Sequence, residues 1–294
     1  MSMDLFDSMR IFVRVVERGS FSAVARELNM GQPAVSKQIR ALEQYLGGAV
    51  FARSTRLLAL TDQGQGFYRH CQDILGQLDS ATRSFASGQE QIAGPLRIAA
   101  PVTYGRLCIA PLLGAFLQRH PDVRIDLRLS DHNEDLLKEN IDLAIRIGVV
   151  KSEGLVAVSL GTSTRRVYAA PIYLDRHGLP GKPADLANHN CIAFTLLEHY
   201  DRWHFTRGAQ ALDVAIKGNV TSNSSEAIRE MVLGGLGVSL SPDWLFAADV
   251  QQGIVRSVLD DYQTTALPVS AVFSRERRRS ARTMAFVDFL REHL

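Results

Sequence analysis

Apolar residues in the first part of the chain recur at helical spacing. Leu5, Met9, Phe12, Val13 and Val16 describe one buried stripe, and Gly19 stands where a first helix would end. Ser20 can cap a second helix with Phe21, Val24, Ala25 and Leu28 on its inner face. Past the turn Asn29-Met30-Gly31, a third helix is expected from Gln32 to Leu46, with Val35, Ile39, Leu42 and Leu46 packed on the first two. Ala49 to Arg53 and Arg56 to Leu60 read as two short strands around Ser54-Thr55, a wing. Thr61 can cap a longer helix in which Phe67, Cys71, Ile74, Leu78, Ala81 and Phe85 follow the spacing of a coiled-coil seam. That seam predicts dimerisation; the competing reading lays the same stripe on the helix's own domain.

From Pro95 the pattern changes to alternating strand and helix. Leu96 to Pro101, Val123 to Leu129 and Ile141 to Gly148 read as strands, with one helix from Tyr104 to Arg119 and a second ending over Leu136 to Asn140. This β-α-β-α-β succession predicts a parallel sheet covered by helices. Further strands are expected near Arg166–Ala170, Cys191–Thr195, Leu212–Lys217, Gly237–Leu240 and Pro268–Phe273, and a final helix from Ala281 to Leu294. The fold class is α/β overall, with an all-α N-terminal domain.

At 294 residues the chain has room for two or three domains, and 46% hydrophobic with 22% charged residues is ordinary for a folded protein. The first residues carry Asp4 and Asp7 and no basic segment leading into an apolar run, so no secretory signal is expected. The apolar stretch Leu107 to Leu117 is about half of what a membrane helix needs. The expectation is a cytoplasmic protein without a membrane partner. Cys71, Cys108 and Cys191 are odd in number and widely spaced, which fits a reducing compartment. His189 and Cys191 lack a second Cys/His pair, so neither a metal nor a cofactor is expected. The net charge of +2 is uneven: between residues 26 and 56, Arg26, Lys37, Arg40, Arg53 and Arg56 outweigh Glu27 and Glu43.

The outer side of the third helix shows Gln32, Pro33, Ser36, Lys37 and Arg40. Gln can bond adenine bidentately, Arg can do so with guanine, and Ser can meet base edges or phosphates. Pro33 fits the first turn, where a missing N–H costs nothing. Arg53 and Arg56, flanking the wing, can enter a minor groove or clamp phosphates. The plainer reading is a three-helix bundle with an ordinary polar surface. In open parallel sheets ligands bind beyond the carboxyl ends of the strands, where Thr103, Ser130, Gly148 and Thr195 fall. Asn223 belongs to a polar cluster before a later helix, and Arg146 can supply a fixed positive charge. Each of these polar residues has helix capping as its alternative role. Gly234-Gly235-Leu236-Gly237 follows a helix and precedes a strand, the reverse of a dinucleotide loop. The charge run from Arg275 to Arg282 reads as a solvated corner.

The sequence from Phe12 to Gly64 resembles the DNA-binding domain of the LysR-type regulators. The likeness is carried by Gly19-Ser20-Phe21-Ser22-Ala23-Val24-Ala25, Leu28, Gln32-Pro33-Ala34-Val35-Ser36-Lys37-Gln38-Ile39, Leu42-Glu43, Leu46-Gly47, Val50-Phe51, Arg53, Arg56, Leu60-Thr61 and Gly64. Gly31 departs from the Ser or Thr often found there, at a cost of roughly a few tenths of a kcal/mol. A looser likeness to the effector domains of that family runs through Pro101-Val102-Thr103, Asp142 to Gly148, Ala170 to Leu174 and Gly234 to Val238. The resemblance implies a winged helix-turn-helix over residues 1–61, a linker helix over 62–88 that pairs two chains, and a hinge over 89–94. It further implies an effector domain over 95–294 built like a periplasmic binding protein, one subdomain being 95–163 with 266–294 and the other 164–265. The expected function is a regulator that binds double-stranded DNA, self-associates as a dimer within a tetramer, and responds to a small anionic effector. RNA polymerase is left open as a further partner. The rivals are a solute-binding protein without DNA recognition and an enzyme, for which no nucleophile–base pair can be named.

Overall fold

The computed structural model describes residues 4–52, 58–87, 92–132, 135–150 and 154–294. Its contacts divide the chain into two compact units, residues 1–96 with 120–125, and residues 97–119 with 126–294.

In the first unit, α1 (Leu5–Arg18) begins where the Asp4 carboxylate accepts the N–H groups of Phe6 and Asp7, and it ends at Gly19 in the left-handed region. α2 (Phe21–Glu27) is capped by the Ser20 hydroxyl, which accepts the Ala23 N–H at 3.3 Å. α3 (Gln32–Leu46) starts from Gly31 without a side-chain cap and carries Pro33 in its first turn. Phe12, Val15, Val24, Val35 and Leu42 are fully buried together. Each large apolar side chain so buried contributes roughly 1.5–3 kcal/mol. α4 (Asp62–Ser87) belongs to this core, adding Cys71 and Leu75, and the Phe12 ring meets Phe51 and Phe67 at centroid distances of 5.6 Å.

Polar ties fix the corners. Glu27 sits between Arg14 and Arg18, joining α1 to α2, and its hydrogen bonds with them hold its carboxyl below the usual carboxylate range. Glu43 on α3 accepts the Val50 N–H at 3.0 Å. There the wing starts, its base an antiparallel bridge between Phe51 and Leu60 with the Ala52 N–H on the Ala59 carbonyl at 2.8 Å. Residues 53–57, and with them Arg53 and Arg56, lie outside the described residues.

The second unit has two lobes. The first begins with β1 (Gly94–Ala100), α5 (Val102–Tyr104), α6 (Leu113–Arg119), β2 (Val123–Leu129), β3 (Leu143–Ile147) and β4 (Leu155–Ser163). The chain then crosses into the second lobe through β5 (Arg165–Ala169), α7 (Pro171–His177), β6 (Ala193–Phe194), β7 (Arg202–Arg207) and β8 (Gln210–Ala215). That lobe continues with β9 (Thr221–Ser222), α8 (Ser225–Leu233), β10 (Val238–Pro242), α9 (Asp243–Gln251), β11 (Arg256–Val258) and β12 (Gln263–Thr264). The return is through β13 (Leu267–Ser274) and α10 (Ala281–His293).

The sheet of the first lobe runs β2-β1-β3-β13-β4. β1 and β3 are parallel, but β13 is antiparallel to both β3 and β4, so the sheet is mixed and not the parallel sheet expected. The reason is topological: β13 returns from the other lobe and enters the sheet from the opposite end. In the second lobe β10 and β11 flank β5 antiparallel, β7 pairs with β8 and β12, and β6 lies parallel to β9.

Three further expectations are corrected. The helix expected from Tyr104 to Arg119 is interrupted by a π turn (Gly105–Ile109) and a 3-10 turn (Ala110–Leu112), where Pro111 has no N–H for the α-helical ladder. The helix expected to end at Asn140 is a run of hydrogen-bonded turns over residues 136–140. The Arg275 to Arg282 run is not simply a solvated corner. Arg282 is buried, and Arg277 lies 3.0 Å from the buried carboxylate of Asp142, which also accepts the Arg97 N–H at 2.8 Å.

One close approach in the first unit is testable. A Cβ on Gly64 would lie 2.0 Å from the Val50 carbonyl oxygen, whereas one on Gly66 would meet nothing within 4 Å. Gly64→Ala is expected to destabilise the first unit by about 1–3 kcal/mol through overpacking. Gly66→Ala should be neutral or stabilising by roughly 0.5–1 kcal/mol. Urea unfolding of the two variants side by side measures this, and equal midpoints would refute it.

Candidate functional site

The turn between α2 and α3 is tight. Asn29 takes the left-handed conformation and the Met30 N–H donates to the Ala25 carbonyl at 2.8 Å. Because Val35, Ile39 and Leu42 face the core, Gln32, Pro33, Lys37 and Arg40 are exposed and Ser36 is half-buried. The Ser22 hydroxyl donates to Gln32 at 3.1 Å and the buried Ser8 hydroxyl donates to Gln38 at 2.9 Å, so α3 is pinned about its axis from both neighbours. Its one acidic residue, Glu43, is turned to the wing strand. The exposed stripe is therefore cationic and rich in donors, the chemistry that phosphates and base edges accept.

The second unit holds a cavity of about 180 Å³ between its lobes. The first lobe places Thr103, Ser130 and Arg146 on its wall from the carboxyl-terminal ends of β1, β2 and β3. Thr103 is 2% exposed and its Oγ1 has no hydrogen-bond partner. Asp131 also lines the cavity, but its carboxylate accepts the Val102 N–H at 2.9 Å. The second lobe contributes Arg165, Phe194, Trp244, Ser225, Ser241 and a set of aliphatic side chains. Arg165 donates from Nε to the Thr265 carbonyl at 3.0 Å. Burial pushes the guanidinium pKa of both Arg146 and Arg165 down. Two contacts tie the lobes beside the cavity. Trp244 Nε1 donates to Ser163 at 3.0 Å while its ring meets Tyr104 edge-on, and Arg106 pairs with Glu226 at 2.6 Å.

The effector residues expected from the sequence are thus split. Thr103, Ser130 and Arg146 share the cavity, and Gly148 lines a neighbouring recess of about 1300 Å³ that also shares Arg146 and Arg165. Thr195 and Asn223 line neither: the Thr195 N–H donates to the Ser222 carbonyl at 2.9 Å, and Asn223 is exposed. Arg165, Phe194 and Trp244 were missed. Their neighbours in sequence carry no pattern that marks a ligand wall, and only the crossing between lobes brings them to it.

The linker stripe also divides. Cys71 is fully buried in its own unit and Phe67 packs on the same core, so these two residues do not form an outward seam. Ile74 is exposed and Leu78 half-buried, while the side chains of Ala81 and Phe85 lie outside the described residues. His189 is buried with Nδ1 3.3 Å from the Tyr173 hydroxyl. Cys191 donates to the Leu186 carbonyl, and burial pushes its thiol up to about 12. Among the described residues no cluster of three or more His, Cys, Asp or Glu could hold a metal, and no helix is long and apolar enough to cross a membrane.

Known proteins place these features. Residues 6–65 match the family described as bacterial regulatory helix-turn-helix protein, lysR family, and residues 89–294 match the LysR substrate binding domain. An HTH-type transcriptional regulator of Xanthomonas campestris pv. campestris is 35% identical over 99% of this chain and 85% of its own length. The regulator PtxR of Pseudomonas aeruginosa is 34% identical over 96% of this chain and 91% of its own. Among solved structures, CrgA of Neisseria meningitidis, a LysR-type transcriptional regulator, aligns with a TM-score of 0.63 at 33% identity, covering 97% of each chain. Full-length AphB, a Vibrio cholerae virulence activator, aligns at 0.61 with 25% identity over 98% of this chain and 99% of its own. With both family domains matched in order along nearly the whole sequence, this chain belongs to the LysR family of helix-turn-helix transcription regulators.

Proposed function

We propose that two copies of this chain read a palindromic DNA site through α3, and that a small anion in the cavity between the lobes sets how the bound assembly acts on transcription. The observation that carries the reading is the exposed, acid-free stripe of Gln32, Pro33, Lys37 and Arg40 on a helix pinned to its neighbours, with Ser36 at its edge. By their place in the sequence, Arg53 and Arg56 would enter a minor groove or clamp phosphates. A dimer sets two such helices one helical turn apart, which is why the site should be palindromic. Ile74 and Leu78 on α4 are the candidates for the paired surface, continued by Ala81 and Phe85. Pairing of two dimers into a tetramer, contact with RNA polymerase and a cytoplasmic setting go with this role.

The anion reading is supported by the buried Thr103 hydroxyl that lacks a partner, beside Ser130 and two desolvated arginines. A bound carboxylate would satisfy that hydroxyl and offset the arginines' lost hydration. A ligand that touches both lobes favours the closed arrangement, and the DNA-bound assembly shifts with it to the extent of that preference. The role is regulatory and not catalytic. Cys108, in the π turn that follows α5, has its thiol pushed up to about 11 by burial, which leaves it a poor nucleophile.

Two measurements test this reading. Arg40→Ala should weaken binding to the native upstream DNA by about 1–3 kcal/mol, and wild-type affinity should fall steeply with salt, in gel shifts over a salt series. Unchanged affinity would remove α3 from the groove. Ile74→Glu should convert the dimer to monomer in sedimentation velocity and lose the DNA site, with helical circular dichroism retained. A variant that stays dimeric would move the interface off α4.

A further inference from the structure

A hydroxyl on α2 holds the first side chain of α3, and this bears on which base the helix accepts. The inference rests on the proposal that α3 enters the groove. Ser22 lies in the first turn of α2 and Gln32 opens α3. The turn between them is fixed by the Met30 N–H on the Ala25 carbonyl at 2.8 Å, and Pro33 stiffens the backbone beside Gln32. Across this turn the Ser22 hydroxyl donates to Gln32 Oε1 at 3.1 Å, although both residues are exposed. Capping of α2 does not occupy Ser22, because Ser20 takes the Ala23 N–H. The Ser8 hydroxyl donates to Gln38 Oε1 in the same sense at 2.9 Å, but Ser8 is fully buried and that bond serves the packing of α3. The Ser22 bond stands at the surface, at the edge of the exposed stripe.

A carboxamide has an acceptor at one end and two donors at the other, and half a turn about its last bond exchanges them. Donation by Ser22 holds the Gln32 oxygen toward α2 and leaves Nε2, with its two hydrogens, as the free end. Lys37 and Arg40 on the same stripe can only donate. In the major groove guanine offers N7 and O6 as acceptors, adenine N7 and thymine O4, whereas cytosine offers only its N4 donor.

From these we infer that Ser22 is a positioning residue for base specificity. By holding the Gln32 amide in one of its two orientations it makes the first reading position of α3 a donor, which selects a base with a major-groove acceptor and rejects cytosine. Without the Ser22 hydroxyl the amide turns end over end, and Oε1 can then accept the cytosine N4–H.

The test is competition gel shifts of the full-length protein on its native upstream DNA, with each base pair placed in turn at every position of one half-site. Affinities are read as ratios between bases, so that a general loss of binding cancels. Gln32→Glu carries acceptors only and locates the position, where preference should turn to cytosine. There the wild type should bind cytosine about tenfold or more weakly than its preferred base. Ser22→Ala should shrink that penalty to roughly threefold or less, and Ser22→Thr should restore it. Wild-type ratios in Ser22→Ala, where Gln32→Glu changes them, would overturn the role of Ser22 and leave α3 in the groove. Equal weakening for all bases in Ser22→Ala would make Ser22 a backbone contact and overturn it likewise. If neither Gln32→Glu nor Arg40→Ala alters binding to any base, α3 leaves the groove and the inference goes with it.

Discussion

The second unit depends on how its two lobes are held where the chain passes between them. The polypeptide crosses after β4 and again before β13, and the two passages are bonded to each other at one residue. Arg165 gives its Nε–H to the Thr265 carbonyl, and its own carbonyl receives the Thr264 hydroxyl. This pair of bonds joins neighbouring crossings as a short stitch and lets β13 enter the first lobe's sheet antiparallel, between β3 and β4. The cavity then follows as a consequence. Strand ends of the first lobe, which carry Thr103, Ser130 and Arg146, face a wall of the second on which aromatic and aliphatic side chains stand with Ser225 and Ser241.

Polar side chains in this unit separate by whether they have partners. Asp142, buried, takes the Arg97 N–H and lies against Arg277, so the charge run near the C-terminus serves partly as an internal brace. Removing one member of such a pair leaves an unmatched buried charge, which is costly. Thr103 is the opposite case, a buried hydroxyl with nothing to bond. An orphaned hydroxyl at the edge of a cavity has a physical meaning when a ligand can complete it. The ties beside it, Trp244 to Ser163 and Arg106 to Glu226, span the same two lobes, so movement of one lobe against the other must strain or break them.

The first unit solves a different problem, that of holding one helix face outward and immobile. Val35, Ile39 and Leu42 anchor α3, and Ser8 and Ser22 set its rotation through Gln38 and Gln32. α4 closes the same core with Cys71 and Leu75, so any pairing of two chains along α4 begins from a helix already fixed to its DNA-reading unit. Gly64 permits this by bringing α4 against the Val50 carbonyl.

The local elements of the first unit can be read from the order of residues alone. Helix periodicity, the Ser20 cap and the glycines at 19 and 47 are local signals, and α3 runs over the residues that periodicity indicated. The first three strands of the second unit and the polar residues at their ends were equally legible, because the ends of strands are marked by their neighbours in the chain, whereas the second helix expected between them is a run of turns. Everything that depends on which segments meet had to wait for the folded chain. A stripe at heptad spacing does not say whether its partner is another chain or its own core, and Phe67 and Cys71 went to the core. Strand direction within a sheet is set by topology, so the mixed sheet was invisible to hydrophobic pattern. Arg165 and Trp244 look like surface charge and lone aromatic until the chain crosses twice and lays them on the wall opposite Thr103. Periodicity reports which face of an element is buried, and only the fold supplies what it is buried against.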